Sequence, residues 1–306
     1  GNDSPAAAAT VVLTAMPAAG FTFYADPGCT APITQVALAS GAAQASFHFI
    51  GTVATSELLT ATGAPLLPAT QSATVTAAAS PTQLVFTTPP RTVSAGACSP
   101  VLTVQSRDSF NNPRAVTANA PVALTGAATF YSDPVCSTAV TQVTLASGTD
   151  QVSFYFRATA AGALPLTATA AGLNPANQTQ TVNAAAPDRL VFTTPPQTLP
   201  AGGCSAIARV EPRDAFGNVS APAAAQTVTL TSGTGVTFYS SAGCTAAVGQ
   251  VTLGGGATQA TFYFRGTQAG MRTLTAQVTG WTAGTQSATF NAGAPSVLVF
   301  TTPPQA

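Results

Sequence analysis

Apolar and polar residues alternate over short stretches of this chain. The most legible is Val152-Ser-Phe-Tyr-Phe-Arg157, which puts Val152, Phe154 and Phe156 on one side and Ser153, Tyr155 and Arg157 on the other. A period of two marks a strand with one buried face, so the phenylalanines are assigned to a core. Comparable stretches run through 82–88, 101–105, 122–124, 128–131, 142–145, 164–169 and 178–182, with Cys98, Leu102 and Val104 sharing one face. Clusters of Gly, Pro, Asp and Ser separate them every eight to twelve residues or so, the spacing of a sandwich or barrel. The stretch at 82–88 stops at Pro89-Pro90, which cannot donate to a ladder and suits a sheet edge. No segment of useful length has a helical period, and the alanine runs near Ala6 and Ala184 have neighbouring prolines that oppose helix. The expected class is all-β.

The pattern is written nearly three times. Leu-Val-Phe-Thr-Thr-Pro-Pro stands at 84–90, 190–196 and 298–304, steps of 106 and 108 residues (190 − 84 and 298 − 190). Cys29, Cys136 and Cys244 keep nearly the same step, as do the aromatic triplets beginning at Phe47, Phe154 and Phe262. A unit of roughly 107 residues can bury its own core, so an array of domains is expected. The expected limits are 1–80, a partial repeat lacking its first two strands; 81–187 and 188–294, two complete repeats; and 295–306, the first strand of another. Gly1-Asn2 aligns with Gly217-Asn218, so the chain reads as a window on a longer protein, outside which any signal peptide or anchor would lie. The joins at 77–81, 184–187 and 292–295 are short and rich in Ala and Pro, which predicts domains held end to end as an elongated rod.

Composition removes several function classes. Net charge is zero and no basic cluster exists, so the electrostatic footprint of nucleic-acid or anionic-membrane binding is absent. No stretch approaches the roughly 20 apolar residues that span a bilayer, so no membrane insertion is expected in this window. All nine basic residues are Arg. Biased nucleotide composition in the source genome is the simple explanation, and the lack of Lys rules out the Lys to Asn or Asp isopeptide bonds that staple many surface domains.

Three motifs carry a resemblance. An Asp-x-Phe-Gly-Asn turn follows the second strand at Asp214 to Asn218, with Asn for Gly at Asp108 to Asn112. A late strand reads Val-Ser-Phe-Tyr-Phe-Arg, and Thr159-Ala-Ala-Gly162 and Thr267-Gln-Ala-Gly270 lead into an alternating strand. The chain resembles, over both full repeats and most of the first, the bacterial immunoglobulin-like domains of the invasin and intimin type (group 1, Big-1-like). That resemblance implies tandem immunoglobulin-like β-sandwiches serving as stalks of surface adhesins or other extracellular proteins. The chain departs from the pattern in its regular cysteine pair per repeat and in having no recognisable terminal binding domain.

Candidate chemistry is sparse. His48, the sole histidine, aligns with Tyr155 and Tyr263 on the outward face and reads as a surface substitution. With Glu57 and Glu211 the only glutamates, neither a hydrolytic triad nor a zinc site can be assembled. No enzyme activity, cofactor or metal is therefore expected. Asp108 and Asp214 could offer oxygens to calcium, but calcium takes six to eight ligands and one carboxylate in such a turn reads as an Asx turn. Leu67-Pro-Ala-Thr-Gln71 imitates a sortase signal but ends in Gln inside a repeat, and Asn2, Asn177 and Asn218 open glycosylation sequons. Trp281 follows Gly280 where the preceding repeat has Leu173 after Gly172, a position for a plug toward the next domain or for a carbohydrate or partner contact. Tyr155 and Tyr263 recur at the repeat step and are candidates for lateral contacts.

The five cysteines follow the repeat. Cys98 with Cys136 and Cys204 with Cys244 form one pair per full repeat, expected as intradomain disulfides in an oxidising compartment. One pair without histidine cannot complete a tetrahedral zinc site. Cys29 matches the second member of such a pair and is expected to have no mate in this chain. The function expected is a structural, non-catalytic repeat region of a secreted or cell-surface protein, as adhesin stalk or fibre body. Its expected partners are other copies of itself or a ligand on a host or neighbouring cell. The alternatives are carbohydrate- or protein-binding modules, or spacer domains of a larger secreted enzyme.

Overall fold

The computed structural model describes residues 7–295, 297 and 298. The Asn2 sequon and most of the expected opening strand at 295–306 lie outside the described residues. Every regular element among the described residues is a strand. In the first repeat these are β1 (Ala9–Met16), β2 (Phe21–Tyr24), β3 (Pro32–Ile33), β4 (Gln35–Leu38), β5 (His48–Gly51), β6 (Ser56–Gly63) and β7 (Leu66–Thr74). Then come β8 (Gln83–Phe86), β9 (Thr92–Ser94), β10 (Leu102–Arg107), β11 (Ala120–Thr125), β12 (Thr129–Tyr131), β13 (Ala139–Val140), β14 (Gln142–Leu145), β15 (Gln151–Arg157), β16 (Gly162–Thr169) and β17 (Ala176–Asn183). The last repeat has β18 (Arg189–Phe192), β19 (Gln197–Pro200), β20 (Ala208–Arg213), β21 (Gln226–Ser232), β22 (Val236–Tyr239), β23 (Ala247–Val248), β24 (Gln250–Leu253), β25 (Ala260–Gly266), β26 (Gly270–Gln277) and β27 (Gly284–Asn291).

The chain divides into two compact units. One runs to Arg91 and adds Cys98–Phe156 and Leu164–Gln180; the other takes Thr92–Ala97, Arg157–Ala163 and what is described from Thr181 onward. In the first unit a sheet ordered β4-β1-β6-β7 shares its core with the three-stranded β3-β2-β5, around buried Leu13, Phe23 and Leu59. The same unit holds a sheet ordered β13-β12-β15-β10-β8 and the strands β14-β11-β16-β17, with Leu102, Val104, Val122, Leu145 and Phe154 wholly buried. Phe154 meets Phe86 and Phe130 edge to face, at ring-centroid distances of 6.2 and 5.9 Å.

The second unit repeats the plan, with sheets β18-β20-β25-β22-β23 and β19-β27-β26-β21-β24. Phe262, Phe264, Phe290, Leu253 and Leu274 fill its core. The alternation does what it predicts. In β25 Phe262 and Phe264 are fully buried and the residues between and beside them are not, and each phenylalanine contributes roughly 1.5–3 kcal/mol of transfer free energy.

The Pro-Pro signature marks where the chain changes sheets. β18 lies at the edge of one sheet and β19, after Pro195-Pro196, at the edge of the other, where it runs parallel to β27 from Gln197↔Ala288 to Pro200↔Asn291. Proline carries no N–H, so the ladder ends there and the strand can cross to the facing sheet. Backbone groups freed by the crossing are taken up by glutamine side chains. Gln178 Nε2 donates to Thr88 O at 2.8 Å and Gln180 Oε1 accepts from Arg91 N at 2.6 Å; Gln286 donates to Thr194 O at the corresponding place in the last repeat.

Candidate functional site

The feature built twice with most polar chemistry is the Asp-x-Phe-x-Asn turn. Its fourth residue must turn left-handed, a conformation tolerated by glycine and, among other residues, best by Asn. Gly217 has φ +91° and Asn111 φ 72°, which explains why these two residue types exchange there.

Within the first unit Asp108 is fully buried. Its Oδ1 accepts from Phe110 N and Asn112 N, both at 2.9 Å, an Asx turn. Its Oδ2 accepts from Ala78 N at 2.8 Å, in the join that precedes the second repeat, and from Asn112 Nδ2 at 3.0 Å. Asn112 then reaches into the first repeat: its Nδ2 donates to Thr52 O at 2.9 Å and its Oδ1 accepts from Ala54 N at 2.8 Å.

The second unit reproduces this set. Asp214, also fully buried, accepts from Phe216 N at 3.0 Å and from Asn218 N, Ala185 N and Asn218 Nδ2 at 2.8 Å. Asn218 Nδ2 donates to Thr159 O at 2.7 Å and its Oδ1 accepts from Ala161 N at 2.9 Å. Thr159 and Ala161 belong to the Thr-x-Ala-Gly turn, so two motifs separated by 57 to 59 residues meet. Phe216 covers Gly96, where an added Cβ would stand 2.3 Å from the ring.

Burial pushes both aspartate pKa values up, but hydrogen bonds from the Asn side chain, the join amide and the turn amides outweigh it. Asp108 and Asp214 are held below the ordinary aspartate value, and each stays a carboxylate without a metal or a cationic partner in these contacts. No group of three or more His, Cys, Asp or Glu able to hold a metal occurs among the described residues, and these residues include no helix long and apolar enough to cross a membrane. The site can join and orient; its acidic groups are all engaged as acceptors.

The other candidate residues are placed as follows. Cys98 is bonded to Cys136 (S–S 1.97 Å) and Cys204 to Cys244 (1.99 Å), while Cys29 is free and half-buried. Tyr155 and Tyr263 are half-buried on their strands, and Tyr263 stands opposite Tyr239. Trp281 packs against the core of its own sandwich, with Gln277 Nε2 donating to its carbonyl at 2.8 Å. His48 sits half-buried opposite Tyr24. None of the three aromatics joins the Asp–Asn cluster. The functional residues that pattern reading missed are Asn112 and Asn218, whose signal was their recurrence at the fifth position of the turn.

No family model matches the chain, and neither does any curated protein sequence. Solved structures match the chain at low identity and low TM-score. Invasin, a bacterial integrin-binding protein, is 16% identical over 92% of this chain and 53% of its own, with a TM-score of 0.33. The Yersinia pseudotuberculosis adhesin InvE is 20% identical over 68% of this chain and 58% of its own, with a TM-score of 0.26. A beta-glycosidase from Bacteroides vulgatus is 11% identical over 68% of this chain and 25% of its own, with a TM-score of 0.30. The chain spans less than two thirds of each of them. Adhesins and an enzyme stand side by side in this set, and likenesses this weak assign no function.

Proposed function

We propose that this chain is a structural, non-catalytic repeat region of an extracellular bacterial surface protein, serving as an adhesin stalk or as the body of an extracellular fibre. The observation that carries this reading is the recurrent Asp–Asn joint. In each instance one buried carboxylate engages the join ahead of its own repeat, and the neighbouring Asn engages a turn of the repeat before. A hydrogen-bonded join resists bending better than a free linker, which is what a spacer needs. The disulfide in each full repeat supports secretion into an oxidising compartment.

The domain limits that fit this role are 1–80, 81–187 and 188–294, with 295–306 opening a further repeat. Partners are other copies of the chain or a ligand on a host or neighbouring cell, with Tyr155 and Tyr263 as recurrent contact positions. Antibodies against the chain should label intact, unpermeabilised source cells, and external protease should remove that label. Small-angle scattering should give an extended particle to which each repeat adds about 40 Å, from strands of about 6 to 10 residues rising about 3.3 Å each plus capping loops. Labelling only after permeabilisation, or a compact particle, would overturn the proposal.

A further inference from the structure

The two complete sandwiches have one guarded side and one bare side. On the guarded side β8 and β9 are parted by Pro89-Pro90, and β18 and β19 by Pro195-Pro196. Proline is one of the devices that blunt a sheet edge. On the other side the sheets end in β13 and β14, and in β23 and β24. Residues 139–148 and 247–256, which carry these strands, hold neither proline nor a charged residue. The longer strand recurs in all three repeats, each time ending its sheet: Gln35-Val-Ala-Leu38 in β4, Gln142-Val-Thr-Leu145 in β14 and Gln250-Val-Thr-Leu253 in β24.

The register says which backbone groups face outward. Leu124 N donates to Thr141 O at 2.9 Å, and Val122 stands opposite Val143. Bonded and non-bonded positions alternate along an antiparallel pair. Val143 and Leu145 therefore bond β11, while Gln142 and Thr144 turn their N–H and C=O groups away from it. Pro121, which has no N–H to offer, stands opposite Thr144, in accord with that phase. Leu230 N to Gly249 O and Leu13 N to Thr34 O, both 2.9 Å, set the same phase in the other repeats. Gln250, Thr252, Gln35 and Ala37 thus present their main chain outward too. Among the described residues no strand or loop backbone takes up these groups. Gln142 and Thr144 are exposed and Val143 between them is half-buried, a pattern that β24 repeats.

We infer that this edge docks a second copy of the chain: β14 pairs antiparallel with the same strand of another molecule about a twofold axis through Val143. The edge is its own complement. Under that axis Gln142 meets Thr144 of the other copy, each N–H finding the other's C=O, and the two valines close against one another as a non-bonded pair. Main-chain bonds supply affinity and the alternating side chains fix the register. No charge on the edge repels its copy. A four-residue edge binds weakly alone, but β4 and β24 carry the same groups in the same phase, so a copy of this chain offers the edge repeatedly and the contacts reinforce one another. The inference rests on the reading of other copies as partners and names where they meet.

The test is sedimentation of the full chain at concentrations up to about 1 mM. Concentration-dependent self-association is expected. Thr144→Pro, Thr252→Pro and Ala37→Pro together delete N–H groups that bond nothing within the chain, where an edge strand tolerates proline, and should weaken association at least about tenfold. Lysine at the same three positions should weaken it in the same sense, and serves where the proline chain does not fold. In a Cys29→Ser background Val143→Cys should give a disulfide-linked dimer on oxidation, because facing non-bonded residues stand about 4.5 Å apart. Thr179→Cys, exposed on β17 away from this edge, should not. A monomer at every concentration would overturn the inference and strike copies of the chain from its partners. Association that the proline and lysine changes leave intact, or equal cross-linking through residues 143 and 179, would overturn the inference alone.

Discussion

Asn218 donates its side-chain amide to the carbonyl of Thr159 at 2.7 Å, while the same nitrogen lies 2.8 Å from the buried carboxylate of Asp214. One amide thus ties a turn of one repeat to the acid that organises the next. Replacing it with Ala removes the donor to Thr159 and leaves the Ala161 amide without its acceptor. Asn218→Ala should therefore cost about 0.5–1.5 kcal/mol, the net worth of hydrogen bonds whose exposed partners water can then reach. Urea denaturation measures this, and faster amide exchange at Ala161 should accompany it; unchanged stability and exchange would remove the joint from the account.

Acid should loosen both joints. The folded-state pKa values of Asp108 and Asp214 lie below the ordinary value of about 3.9. The unfolded chain therefore binds protons first as pH falls, so the stability these groups contribute is full above about pH 4 and is lost as pH drops through the folded values. Asp133, held to about 2 by the amides of Thr138 and Ser137, and Asp26 act in the same sense. Urea midpoints should be level from neutral pH down to about pH 5 and fall below pH 4. Asp214→Asn should flatten that fall.

Gly96 should tolerate no side chain. Its φ is +78° and a Cβ would meet the Phe216 ring at 2.3 Å. Gly96→Ala is expected to destabilise by about 1–3 kcal/mol through left-handed strain plus displacement of the ring. Combined with Phe216→Ala it should cost less than the sum of the two single changes, because the clash then has no target. Strict additivity in thermal denaturation would show that the ring does not sit there.

Removing either disulfide should cost about 2–5 kcal/mol. The bridges are separated by 38 and 40 residues, so Cys98→Ser and Cys204→Ser should have similar effects. Reductant should lower the melting temperature of the native chain and leave a variant lacking all four of these cysteines unchanged. An identical melt with and without reductant would contradict this.

The all-β class, the repeat step and the buried phenylalanines were legible because they rest on local periodicity: a residue two places away lies on the same face of a strand whatever the rest of the chain does. The edge position of β8 was legible in Pro89-Pro90 for a similarly local reason, the missing N–H. Strands of two or three residues, such as β9 and β13, were not, because a period of two needs more residues than that to register. Nor does the sequence say that the segment after Pro195-Pro196 crosses to the facing sheet and runs parallel to β27, since that choice is made by a partner 91 residues away (288 − 197).

The joint divides the same way. Sequence alone determined that Asp214 begins a turn and that Asn111 stands where the other repeat has Gly217, because turn chemistry depends on the residue types themselves. Only the tertiary structure decided that Asn218 binds Thr159 and Ala161, that Phe216 covers Gly96, and that Trp281 packs against the core of its own sandwich. These contacts join segments far apart in the chain, and their geometry is set by how whole strands pack, which no short-range pattern encodes.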